Sequence, residues 1–211
     1  MKRIWIFHLY LNDGEGFNLT LMKGSQKIAK RILGVDPGTN VLGYAILEIN
    51  NKKLKLVNIG VVRMQHLAEH AEKLRMIYEQ ISAIIEMHSP TELAIEAPFY
   101  GKNIQSMLKL GRAQGVAMAA ALAQGLSIME YSPKKIKQSV TGNGNATKGQ
   151  VAAMLGTILT TNFDDQPEDA TDALGAAVCH HFQSTSVFGN TGKSKGWKGF
   201  LKDNPGKVWK P

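Results

Sequence analysis

Apolar residues recur along this chain in two periods, and the places where one period gives way to the other lay out most of its architecture. Ile32, Leu33 and Val35 form a short apolar strand ending on Asp36. Pro37 and Gly38 then turn the chain, because proline presets φ and glycine tolerates positive φ. A second strand runs from Val41 to Glu48, with Gly43 at a point where another backbone or a ligand can come close. Past the polar turn Asn50 to Lys53, residues Leu54 to Arg63 alternate as a third strand. The short turns between the three predict an antiparallel meander.

From Ala68 to His88 the period changes. Leu74, Ile77, Tyr78, Ile81, Ile84 and Ile85 recur at three- and four-residue steps, which predicts an amphipathic helix, and Ser89-Pro90 stops it. Glu92 to Ala97 is a short buried strand carrying Glu96 near its end. A second long helix is expected over about Asn103 to Gln124, its later half rich in Ala and Gly and so open to close helix or subunit contact. A fifth strand follows from Leu126 to Tyr131. A short basic helix then starts at Ser132-Pro133, with Ser as N-cap and Pro at the first position. After the polar loop Thr141 to Thr147 come helices over Lys148–Thr160 and Pro167–Phe182. Crossovers following a meander predict an α/β domain with a mixed five-stranded sheet. No internal repeat is apparent.

The 211 residues suit one well-buried core, and 44% hydrophobic with 20% charged residues is ordinary for a globular domain. The net charge of +8 sits at the ends: residues 1–30 carry +3, residues 184–211 carry +5, and 31–183 is neutral. A neutral domain with clustered acids must lean basic over the rest of its surface. The single cysteine, Cys179, excludes an internal disulfide framework and fits a reducing cytoplasm. No apolar run approaches the roughly 18 residues of a membrane span. The start MKRIWIFHLYL has the outline of an export signal, but His8 interrupts it and no small-residue cleavage site precedes Asn12-Asp13. The expected organisation is a poorly ordered extension over 1–30, with Met22 as a possible alternative start, one domain over 31–183, and a disordered basic tail over 184–211.

Candidate chemistry lies in four carboxylates. Asp36 and Glu96 each end a strand, and parallel neighbouring strands would bring both to one sheet edge. The last helix adds Asp169 and Asp172, three residues apart on one face, with Cβ atoms roughly 5–6 Å from each other. Ala173, Leu174, Ala176 and Ala177 would seat that helix on the sheet. Acids on a seating side call for a cation, and hard divalent ions take oxygen ligands. Plainer readings remain open: Asp36 can cap a turn, and Asp169 can answer the helix macrodipole.

GVDPGT with Gly43-Tyr44, IEAPFYGKN (Ile95–Asn103), LKLGRAQGVA (Leu108–Ala117), the segment from Lys137 to Lys148, and EDATDALGAA (Glu168–Ala177) closely resemble the RuvC crossover junction endodeoxyribonucleases. The resemblance spans about residues 31–183 in five ordered blocks. It implies an RNase H-like fold, a homodimer, and Mg²⁺-dependent paired nicking of four-way (Holliday) DNA junctions, with 5′-phosphate and 3′-hydroxyl products. Two ions per site are implied, with Mn²⁺ able to substitute, as is partnership with the RuvA–RuvB branch-migration complex. Asp36, Glu96, Asp169 and Asp172 match the family's catalytic, metal-holding acids. Phe99 matches the aromatic expected to stack on an unpaired base, and Lys137 and Lys148 match two basic positions tied to DNA handling.

Lys102, Lys109 and Arg112 are further candidates for phosphate contact, although solvated charges on a helix face read the same way. His180 and His181 end the last helix, where a dipole partner plus a buried ring is the plainer assignment. The tail interleaves Lys with Trp197, Phe200 and Trp209, which suits nonspecific DNA contact, a docked partner or solubility equally. Two other function classes compete. The first phosphate loop of actin-like kinases and ATPases resembles GVDPGT followed by GYA, but its required second loop and duplicated domain are missing. A non-catalytic junction-binding module would not need four intact acids. Within the same fold, an RNA-processing enzyme is disfavoured by the IEAPFYGKN block.

Overall fold

The computed structural model describes residues 29–51, 53–98, 103–163 and 165–185. Ten elements follow the order expected: β1 (Lys30–Asp36), β2 (Val41–Asn50), β3 (Lys53–Arg63), α1 (His70–His88), β4 (Glu92–Glu96), α2 (Ile104–Ala123), β5 (Ser127–Tyr131), α3 (Pro133–Thr141), α4 (Lys148–Leu159) and α5 (Glu168–Thr185). The sheet has the order β3-β2-β1-β4-β5. The meander β1–β3 is antiparallel, and β4 joins β1, and β5 joins β4, in parallel. The mixed five-stranded RNase H-like sheet is thus present. Two expected boundaries move: Lys30 already pairs with Ile49 in the sheet, and Ser184 and Thr185 continue α5 into what was expected to be tail. Residues 1–28 and 186–211 lie outside the described residues.

Strand alternation sorts the core into two layers. Leu33, Val35, Leu42, Ile46, Leu93 and Ile95 face α1 and α2, meeting Ile77, Ile81, Ala113 and Ala117. The opposite parity, Ile32, Ala45, Leu47 and Ala94, faces α3, α4 and α5 through Ile136, Leu155, Leu174 and Ala177. Asp36 and Glu96 have the parity of Ile32 and Ala94, so both belong to the α5 side.

Two strand glycines set how α5 lies there. A Cβ on Gly34 would stand 2.1 Å from the carbonyl oxygen of Ala173, and one on Gly43 would stand 1.8 Å from that of Asp169. Only the bare backbone leaves room, so α5 rests directly on β1 and β2. Ala173, Ala176 and Ala177 keep the rest of that contact thin and fully buried. The helix therefore enters over the C-terminal end of β1. Among the described residues no helix is long and apolar enough to cross a membrane.

Candidate active site

Three elements deliver the four acids. Asp36 is the last residue of β1 and Glu96 the last of β4. Because β1 and β4 run parallel with Val35 opposite Ile95, the next residues along are these two acids, on strands about 4.8 Å apart. Asp36 also pairs across β2 with Gly43, the residue on which Asp169 rests. Asp172 follows nearly one helical turn later. The glycine that admits α5 is thus also what brings its first acids over Asp36.

The electrostatics bear this convergence out. Asp36 is pushed up to about 8, first by burial and then by the charges of Glu96, Asp172 and Asp169. Glu96 is pushed up to about 7, again first by burial and then by Asp172. Lys148 opposes the rise at both acids, and Lys137 opposes it at Glu96. All four acids, Lys137 and Lys148 therefore share one electrostatic neighbourhood.

Lys148 goes further than proximity. Its ammonium lies 2.8 Å from Asp172 Oδ2 and 3.2 Å from Glu168 Oε2. The lysine opens α4 within a capping box: Thr147 Oγ1 accepts from the Gln150 amide at 3.2 Å, and Gln150 Oε1 accepts from the Thr147 amide at 2.9 Å. Its backbone is pinned while its long side chain stays half exposed. Among the described residues no three His, Cys, Asp or Glu side chains form a ready metal-ligand group. The donor chemistry nevertheless suits a hard divalent cation, being carboxylate oxygen throughout, and the lysine ammonium already stands in for a cation beside Asp172.

Other candidates fall elsewhere. Arg112 and Lys109 are exposed on α2, on the sheet face opposite α5, where their charge is felt by His70 at the start of α1. Phe99 and Lys102 lie outside the described residues. His180 and His181 are buried toward the far end of α5. His180 Nε2 lies 2.6 Å from a Glu92 carboxylate oxygen and its Nδ1 lies 2.7 Å from the Tyr131 hydroxyl. Lys30 closes the network on Glu92 at 2.8 Å. Cys179 is buried.

Two residues escaped the reading of the sequence. Glu168 shares Lys148 with Asp172, four residues on along the same helix, a spacing that could have flagged it. Gln114, buried in α2, donates from Nε2 to Glu130 at 2.8 Å and reaches the Glu96 carbonyl at 3.5 Å. Together with the Ala97 amide donating to the Tyr131 carbonyl at 2.9 Å, it anchors the strand end that presents Glu96.

Comparison with known proteins places this arrangement. Residues 32–180 match the family described as crossover junction endodeoxyribonuclease RuvC. A protein of that description from Cytophaga hutchinsonii is 57% identical over 190 residues, covering 88% of this chain and 92% of the relative. One from Porphyromonas gingivalis is 52% identical over 181 residues, covering 84% and 96%. Among solved structures, Thermus thermophilus RuvC in complex with a Holliday junction substrate superimposes with a TM-score of 0.69 at 28% identity, covering 74% of this chain and 94% of that one. The yeast mitochondrial Holliday junction resolvase shares the fold, with a TM-score of 0.57 at 14% identity, covering 77% of this chain and 84% of that one.

Proposed function

The chain belongs to the RuvC family of crossover junction endodeoxyribonucleases, and on that premise we propose that it resolves Holliday junctions by paired symmetric nicks that depend on divalent metal. The products would carry 5′-phosphate and 3′-hydroxyl ends. The observation that carries the reading is the gathering of Asp36, Glu96, Asp169 and Asp172 where β1 and β4 end beneath the first turns of α5. These four would hold the ions, two per site and Mg²⁺ by preference. When bound, such ions supply an activated water and neutralise charge on the phosphodiester.

The protein's own groups do the rest. Without a cation, burial and mutual repulsion keep Asp36 and Glu96 poised to hold protons near neutral pH, so charging the site releases protons. Lys137 and Lys148, whose charges are both felt at Glu96, can pair with backbone phosphate. Phe99 would stack on a base unpaired at the crossover.

Paired nicking needs two sites related by a twofold, and α2 has the surface for it. Ile104, Leu108 and Leu122 are 69%, 51% and 61% exposed. They fall in one line along the helix with Gly111 and Gly115, over which nothing packs among the described residues. A homodimer formed through this line would match the symmetry of the junction. The partner expected beyond DNA is the RuvA–RuvB branch-migration complex.

The test is incubation with a synthetic immobile four-way junction and Mg²⁺, beside the linear duplex of one arm. Symmetric ligatable nicks in the junction, sparing the duplex, support the reading. Tight junction binding without any cleavage would make the chain a binding module instead.

A further inference from the structure

Among the described residues Lys148 is the cation that ion-pairs directly with acids of α5, and its position has a consequence of its own. Its ammonium makes ion pairs at 2.8 Å with Asp172 and 3.2 Å with Glu168. Of the three, Asp172 is the least exposed, at 21%. The lysine side chain, 53% exposed, and that of Glu168, 74% exposed, have open water beside them. Thr147 and Gln150 pin the lysine's backbone, so the ammonium leaves Asp172 by rotation of its flexible stem.

An ammonium and a divalent ion compete for one carboxylate. Each binds by neutralising the same charge, and the two repel across a few ångströms. Lysine is suited to such an exchange, being a compact charge on a flexible stem. We propose that Lys148 is a resident counter-cation for Asp172: it holds the acid cluster together in the DNA-free, metal-free protein and is displaced when a divalent ion arrives. The displaced ammonium is then released toward the face where a phosphodiester would lie. Metal loading and phosphate capture thereby become two halves of one exchange, and the free enzyme is held short of full metal occupancy. The inference rests on the four acids being the metal site.

The test compares the full chain with Lys148→Met and Lys148→Arg, without DNA, by Mn²⁺ titration in a calorimeter. Breaking a partly exposed ion pair is expected to tighten Mn²⁺ binding roughly 3- to 10-fold in Lys148→Met, while Lys148→Arg stays within about 2-fold of the parent. In parallel, acetylation of Lys148 by a small reagent, read by mass spectrometry, should be slow without metal and several-fold faster with saturating Mn²⁺. In Asp172→Asn it should be fast under both conditions. Equal or weaker Mn²⁺ binding by Lys148→Met overturns the exchange, as does acetylation indifferent to metal. Failure of the parent protein to bind Mn²⁺ at all would instead overturn the metal site on which the inference rests.

Discussion

Neutralising Asp36 should make the metal-free protein more stable while ending its chemistry. Its carboxyl moves from 3.8 to about 8 on folding, because burial and three neighbouring acids oppose its charge. A folded-state value above the unfolded one means that the native protein binds the extra proton. Stability is therefore lost as pH rises from about 4 through 8, not as it falls. At about 1.4 kcal/mol for each pH unit between the two values, ionised Asp36 costs the fold at most about 5–6 kcal/mol. Lys148 already offsets part of the repulsion, and the other acids relax when one leaves, so Asp36→Asn should return about 1–3 kcal/mol at pH 8. For a domain of this size that raises Tm by about 3–8 °C. Thermal melts in EDTA at pH 8, 6 and 4 are the assay, and the gain should shrink toward pH 4, where the parent protein is itself protonated. Added Mn²⁺ should stabilise the parent more than the variant and so narrow or reverse the difference. A variant no more stable than the parent at pH 8, or a gain equal at every pH, would refute the claim that Asp36 is strained by charge.

Gly34→Ala places a Cβ against the Ala173 carbonyl and should cost about 2–4 kcal/mol in a urea melt; a cost below 1 kcal/mol would mean α5 does not rest on β1 as described. Gln114→Leu leaves Glu130 without its partner and loosens the strand end bearing Glu96. It should lower junction cleavage about 10-fold with junction affinity unchanged, whereas equal loss of binding would point to a DNA contact. Leu108→Glu combined with Leu122→Glu should convert a dimer to monomers in light scattering, and an unchanged mass would move the interface off α2. His180→Phe breaks the bonds to Glu92 and Tyr131 and should cost about 1–3 kcal/mol of stability while leaving cleavage per folded molecule intact.

What the sequence made legible was whatever local chemistry decides. Pro37-Gly38, Ser89-Pro90 and Ser132-Pro133 mark turns, a helix end and a helix start by backbone constraint alone, and each stands where expected. The parallel pairing of β1 with β4 followed from the crossover, so the meeting of Asp36 and Glu96 could be anticipated. Long-range side-chain choices were not legible. Lys148 could be singled out in the sequence, but not its reach to Glu168 and Asp172 on another helix, whereas Lys109 meets no acid among the described residues. Gln114 looks like any polar residue on a helix until packing buries it against Glu130. Asp172 is paired with Lys148, which makes Asp36 the clearer site for charge strain in the metal-free fold.

Crystals of the DNA-free protein soaked in Mn²⁺, with data collected at the manganese absorption edge, interrogate the carboxylate cluster head-on. An anomalous peak within ligand distance of both Asp36 and Asp172, accompanied by an outward turn of Lys148, is the outcome expected here. Saturated soaks that leave those carboxylates bare, with manganese only at remote surface acids, would contradict it.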